Sequence, residues 1–203
     1  MNQKKYLMSF TTGGLFHTES LLLLEIYLKT QNWDDVYQYS LDNNTLQTRV
    51  VSTAKRVLKE IINRLKTLTD DELRLLENGS TSEQKYLLWL STCRRYTFLH
   101  DFATEVIRER YLTLKYDLPV EEYEGFYNSK EQWHEELEKI TEGSRYKQRT
   151  VVFKILREAD IIDANKLILP AILTDELISI IAKKDASDLA IFPVSDIDLQ
   201  RAV

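Results

Sequence analysis

The chain has 203 residues, 43% hydrophobic and 29% charged, with a formal net charge of −5 and a pI near 5.4. This is an ordinary globular composition, long enough to bury a core as one large domain or two small ones. It excludes a globally cationic nucleic-acid coat protein but leaves room for a local basic surface. Five glycines and three prolines among many Leu, Ile, Glu, Lys and Arg favour helix over sheet, so a mainly α fold is expected.

Cys93 is the single cysteine and sits in the apolar run YLLWLSTC, which predicts a buried, inert thiol and no internal disulfide. The longest apolar runs, residues 21–24 and 86–90, fall far short of the roughly 20 residues that span a bilayer. The N-terminus lacks a hydrophobic run of signal-peptide length. No membrane partner and a cytoplasmic location are expected.

In chain order, residues 6–12 read as a short packed arm, and Gly13 and Gly14 as a plain turn into an apolar helix from Leu15 to Thr30. Asn32 is an N-cap for a helix starting at Trp33, with Asp34 and Asp35 in its first turn, where the helix dipole favours acids. The stretch from Asn44 to Thr69 is the longest regular helical pattern. Leu46, Val50, Ala54, Val57, Leu58, Ile61, Ile62, Leu65 and Leu68 fall on one arc of its wheel. Arg49, Lys55, Arg56, Lys59 and Lys66 fall on the opposite arc, Arg64 lies at the seam, and Glu60 is the offsetting acid.

Thr69 to Glu72 has the form of a capping box, opening a helix that stops near Gly79. Ser80, Thr81 and Ser82 then cap a helical region from Glu83 to Lys115 with a break near Thr97. Its Leu87, Leu88, Leu90, Phe98, Leu99, Phe102, Val106 and Ile107 form a second wall of the core, and Arg94, Arg95, Arg108 and Arg110 take exposed or seam positions. Residues 117–142 carry nine acids against Lys130 and Lys139. Pro119 suits the first turn of a helix there, and Ser129 to Gln132 reads as another capping box leading into WHEELEKI.

The expected domain boundary lies at 143/144, giving a helical body, 1–143, and a smaller helical unit, 144–203. A helix from Arg145 to Ala159 turns Val151, Val152, Ile155 and Leu156 to one face, while Arg145, Lys147, Arg149, Lys154 and Arg157 make a second basic block without an acid through residue 157. Leu167 to Leu169 and Ala190 to Phe192 are β-prone runs flanking a helix from Thr174 to Lys183. That order predicts a short β-hairpin in a winged-helix-like unit.

Chemical motifs are scarce. His17, His100 and His134 have no metal-ligand spacing and read as surface or capping residues, and neither GxSxG nor GxxxxGK[ST] occurs. Asp70, Asp71 and the triplet Glu83-Gln84-Lys85 have the flavour of a metal nuclease, yet these acids read as first-turn capping residues on two successive helices. Trp33, Trp89, Trp133 and most tyrosines read as packing. No enzyme, metal or cofactor is expected.

The succession YLMSFTTGGLFHTES, WDDV, NTLQTRVVSTAKRVLKEIINRL, WLSTCRRYTFLHDFATEVIRE and YKQRTVVFKILREADII resembles the BrxA family of bacterial BREX phage-defence systems over nearly the whole chain. The resemblance implies a small, mainly helical, non-catalytic component that binds double-stranded DNA, acts alongside other BREX proteins and has a similarity to the RNA-binding NusB fold. A NusB-like RNA binder and a protein adaptor, using the acidic segment 117–142, are the alternatives. Candidate DNA contacts come from charge placement alone: Arg49, Lys55, Arg56, Lys59, Arg64 and Lys66, with Arg145, Lys147, Arg149, Lys154 and Arg157.

Overall fold

The computed structural model describes residues 5–195; residues 1–4 and 196–203, which include the first of the N-terminal lysines and the end of the expected C-terminal unit, lie outside the described residues. The chain enters as an extended arm. Successive side chains of extended backbone point to opposite sides, so Tyr6 and Phe10 go into the core while Leu7 and Ser9 face outward. Gly13 then turns with φ +82°, and a β-carbon there would collide with the Phe16 ring at 1.9 Å. The arm leads into α1 (His17–Thr30), α2 (Trp33–Asp42) and α3 (Val51–Leu65).

The long basic stretch is therefore shorter as a helix than its periodicity predicts. Asn44 and Gln47 adopt left-handed backbone conformations that no α-helix continues through, and Asn44 Oδ1 accepts from the Thr48 amide. Consequently Val50 is exposed at the N-cap and Arg49 precedes the helix. Within α3 the wheel holds: Ala54, Leu58, Ile61, Ile62 and Leu65 are buried.

Two capping boxes follow, the first as the sequence predicts and the second where the sequence predicts only a Ser80–Ser82 cap. Thr69 and Glu72 open α4 (Asp70–Asn78), and Ser80 and Glu83 open α5 (Thr81–Arg95). The consecutive residues Tyr86 to Cys93 of α5 are all buried, because a helix that is apolar around its whole circumference must be surrounded. The neighbours are α1, α3 and α4 and the later segments described below. Burial pushes the Cys93 thiol well above its ordinary value, in keeping with an inert side chain.

Tyr96 breaks the helical path with φ −121° and ψ 89°, after which α6 (Thr97–Phe102), a π-helical turn (Ala103–Arg108) and α7 (Glu109–Leu112) continue it. Phe98 is a hub for aromatic edges from Tyr6, Tyr123, Phe126 and Tyr127. The acidic segment forms α8 (Val120–Glu131) and the single turn α9 (Glu135–Glu138). Ser129 lies inside α8 and caps nothing; the break falls instead at Gln132 and Trp133. Trp133 is 73% exposed, contrary to its reading as packing, while His134, expected at the surface, is buried and stacks on Tyr6 with centroids 3.9 Å apart.

The second basic block forms α10 (Glu142–Glu158), started by a Thr141 cap. It is tied back to the arm: Glu158 Oε2 accepts from Leu15 N at 2.6 Å, passing so close to Gly14 that a β-carbon there would displace the carboxylate, and Gln148 Nε2 donates to Met8 O. Among the described residues the expected β-hairpin is absent, and no winged helix is seen. Leu167 and Ile168 make only isolated antiparallel bridges, with Asp117 and Ile162, and Ala190 and Ile191 end a 3₁₀ segment (Ala186–Ile191) that follows α11 (Asp175–Asp185). The reason is length: each β-prone run has about three apolar residues before a proline, which removes a ladder donor, so neither can extend a pairing.

One buried cation closes this end of the fold. Arg94 grips Glu72 with two hydrogen bonds of 2.7 Å and donates through Nε to Asp188 Oδ2 at 2.8 Å. A planar guanidinium suits this fork, and it joins α4, α5 and the 3₁₀ segment in one contact. Trp89 Nε1 adds a bond to Ile191 O. No helix among the described residues is long and apolar enough to cross a membrane.

Candidate nucleic-acid interface

On α3, Lys55, Arg56 and Lys59 are exposed on the side away from the core. With Arg95 from the end of α5 they line a groove of about 570 Å³, whose other wall is the arm, with Ser9, Thr11 and Thr12. Among the described residues Lys55, Arg56 and Lys59 have no acidic partner. Arg95 lies by the ring of Tyr96, its guanidinium carbon 6.0 Å from the centroid, and its Nε is buried with no acceptor among the described residues.

Glu60 is the acid of this groove, and its charge is already consumed. Arg64 Nε donates to its Oε1 at 2.7 Å, and the Tyr96 hydroxyl reaches both oxygens, at 2.7 and 2.6 Å. Burial, with Glu60 beside it, pushes the Tyr96 phenol up to about 12, so it stays a donor to the carboxylate throughout the physiological range. The basic wall therefore faces solvent without a competing anion.

Arg64 itself is not part of that wall. It is 3% exposed, donates from Nη1 to Gly14 O at 2.8 Å and covers the Phe16 ring, so it holds the arm turn to α3 and offers no solvent-facing charge. Arg49 and Lys66 are exposed at the two ends of α3. The α10 group divides. Arg145 and Arg149 both pair with Glu124, Arg145 also lying over the Tyr127 ring, whereas Lys147 and Arg157 are exposed. Lys154 sits loosely by Glu158, 3.7 Å away, and lines a different cleft with Gly14, His17 and Lys85. The tertiary structure thus gathers Lys55, Arg56 and Lys59 in one groove and leaves Arg49, Arg64, Lys66 and the α10 cations outside it.

Of the nuclease-like residues Asp71 and Glu83 line one cleft and Lys85 another, and each is bound to a partner of its own. Glu83 accepts from Ser80 and Thr174, whose hydroxyls hold its carboxyl below the ordinary value; Asp71 pairs with Lys183, and Lys85 with Asp160. Arg95 and the arm hydroxyls were not legible as groove residues. Their one sequence signal is the Arg94-Arg95 pair at a helix C-terminus, and only the fold separates the clamped Arg94 from the groove-lining Arg95.

Comparison with known sequences settles the family. A sequence model of BrxA matches residues 4–185. The chain belongs to the BrxA family. Among relatives of this BrxA-family chain, the BREX protein BrxA of Escherichia coli O9:H4 (strain HS) is 28% identical over 162 residues, covering 80% of this chain and 76% of that protein. The BREX protein BrxA of Paramagnetospirillum magneticum (strain ATCC 700264 / AMB-1) is 27% identical over 120 residues, 59% of this chain and 60% of its own. That of Bacillus cereus (strain H3081.97) is 24% identical over 125 residues, 62% of each chain. The crystal structure of an uncharacterized protein from Magnetospirillum magneticum shares the fold, with a TM-score of 0.77 at 18% identity over 94% of this chain and 98% of that one.

Proposed function

We propose that this BrxA-family chain is a non-catalytic component of a BREX phage-defence system that binds double-stranded DNA through its phosphates. The observation that carries the reading is the groove of Lys55, Arg56, Lys59 and Arg95. In a protein of net charge −5, four cations gather there while the neighbouring acid is neutralised internally. A phosphate backbone supplies the complementary charge, and such contacts fix position without reading sequence. No aromatic ring lines the groove, which favours backbone contact over stacking on unpaired bases.

The deciding experiment compares the parent with Arg56→Glu/Lys59→Glu on duplex DNA, single-stranded RNA and structured RNA at fixed salt. Severe, sequence-independent loss on duplex supports the reading. Equal duplex binding by the double variant overturns it, and a clear preference for RNA moves the site to the NusB-like alternative. Incubation with Mg²⁺ or Mn²⁺ should leave plasmid DNA, RNA and ATP intact; metal-dependent cleavage lost in Glu83→Gln would reinstate a nuclease.

A second reading, contact with other BREX proteins, is favoured by a different place. Trp133 projects between α8 and α9, and Glu131, Glu135 and Glu138 around it have no cationic partner among the described residues. An exposed Trp with acids beside it suits a basic protein surface. Pull-down of the system's other proteins with parent and Trp133→Ala tests it, with undiminished capture by the variant as the negative result.

A further inference from the structure

We infer that the groove between the arm, α3 and α5 is a built pocket for one phosphate group, with Arg95 as its inner anchor and the Thr11 and Thr12 hydroxyls as its far wall. The inference rests on the duplex-binding reading for the source of that phosphate, but its structural argument is separate.

Arg95 lines the groove without an acidic partner among the described residues; its Nε has no acceptor there, and its guanidinium carbon lies 6.0 Å from the centroid of the Tyr96 ring. A planar fork with an unanswered donor matches the oxygens of a phosphate. The one carboxylate on the lining belongs to Glu60 and is occupied by Arg64 and Tyr96, so it does not neutralise Arg95.

The arm supplies what a surface patch of lysines lacks. Extended backbone from Tyr6 to Phe10 places Ser9 on the groove side because Tyr6 and Phe10 are anchored inward, and Thr11 and Thr12 continue the same wall. The Ser9 hydroxyl bonds the Tyr96 phenol, which leaves the Thr11 and Thr12 hydroxyls as the neutral donors of the groove that also holds the exposed cations Lys55, Arg56 and Lys59. Such a site bonds tetrahedral oxygens from two sides. The arm is held in place from beyond the groove: the Tyr6 hydroxyl donates to Asp101 at 2.6 Å, and Tyr6 N donates to Glu136 at 2.6 Å. Tyr6 is thus a positioning residue for the hydroxyl wall.

The ligand chemistry, a phosphate, could come from a nucleic-acid backbone or from free phosphate, and the test separates them. The full chain, labelled to observe arginine Nε–H signals by NMR, is titrated with inorganic phosphate and, separately, with a short duplex. The Arg95 signal should move saturably with phosphate and be driven further by duplex, while the signals of exposed arginines such as Arg157 drift without saturating. Arg95→Gln should abolish the saturable response, weaken duplex binding by about tenfold or more and lower the salt slope by about one. Arg95→Lys, with charge but no fork, should recover only part of the affinity. Thr11→Val/Thr12→Val should weaken phosphate binding with the chain still folded, which keeps the inference testable should an Arg95 variant fail to fold.

Linear, unsaturated shifts with phosphate, or duplex binding by Arg95→Gln equal to the parent, overturn the pocket even if Arg56→Glu/Lys59→Glu abolishes duplex binding. Saturable phosphate binding at Arg95 without duplex binding at low salt sustains the pocket and overturns the duplex reading instead.

Discussion

Glu60 and Arg64 stand one turn apart on α3 and form a 2.7 Å ion pair inside the protein, and that pairing sets the charge of the helix's outer face. Had Glu60 pointed outward it would have neutralised one of Lys55, Arg56 or Lys59. Turned inward, it stabilises Arg64 under the arm and accepts from Tyr96, so the charges on the exposed side of α3 are all cationic. Core chemistry and surface electrostatics are joined at one residue.

Replacing Glu60 by Ala leaves the Arg64 charge buried without its partner, which should cost about 3 to 5 kcal/mol in chemical denaturation. Replacing Glu60 by Ala and Arg64 by Met together should cost less than the single change, because no uncompensated charge remains. A loss under about 1 kcal/mol for Glu60→Ala would show that solvent reaches the pair.

Leu58 and Ile62, also a turn apart, are 1% and 5% exposed against α5 and its neighbours. Truncation of either to Ala should lower stability by roughly 2 to 5 kcal/mol, measured by the urea midpoint with an unchanged m-value. By contrast Val50→Ala, at an exposed N-cap, should change it by less than about 0.5 kcal/mol.

Duplex affinity should fall steeply with salt. Each neutralised phosphate contributes a slope of about −0.9 in log K against log salt, so engagement of the four groove cations predicts about −3 to −4. A slope near zero in a binding titration between 50 and 200 mM salt would exclude the phosphate mechanism. Lys130 and Lys139, outside the groove, should be replaceable by Gln without altering the slope.

The latch of the arm should titrate. A hydrogen bond to Asp101 raises the His100 value against the opposing effect of burial, with Asp101, Asp188 and Asp185 all favouring the cation. Asp101 is half-buried like His100, and against that effect bonds from His100 and Tyr6 and the nearby Lys130 hold it below its ordinary value. The His100 contribution is fully present below its unfolded value near 6.5 and is lost as pH rises through the higher folded value. That of Asp101 is present above its unfolded value near 3.8 and is lost as pH falls through the lower folded one. Unfolding free energy measured against pH should therefore decline above about 6.5 in the parent, and Asp101→Asn should flatten that decline. An identical pH profile for the variant would remove this pair from the account.

Sequence by itself determined the helical class, the capping box at Thr69, a cap at Ser80, a break near Thr97 and the buried arc of α3, because caps and 3.6-residue periodicity are local physics that neighbours in sequence complete; the box expected at Ser129 does not form. It also carried the family, through an order of blocks spanning most of the chain. It did not determine where α3 begins, since left-handed turns at Asn44 and Gln47 interrupt a pattern that stays apolar on paper. Nor could it distinguish cations of equal charge: Arg64 and Arg94 are buried in ion pairs, Arg145 and Arg149 share Glu124, and Lys55, Arg56 and Lys59 have no acid. Partners such as Asp188 for Arg94, 94 residues away, exist only once the chain has folded, and the same long-range packing brings Arg95 and the arm hydroxyls to the groove. Charge is a property of the residue, but whether that charge faces solvent, an acid or a ligand is decided by what the tertiary structure packs against it.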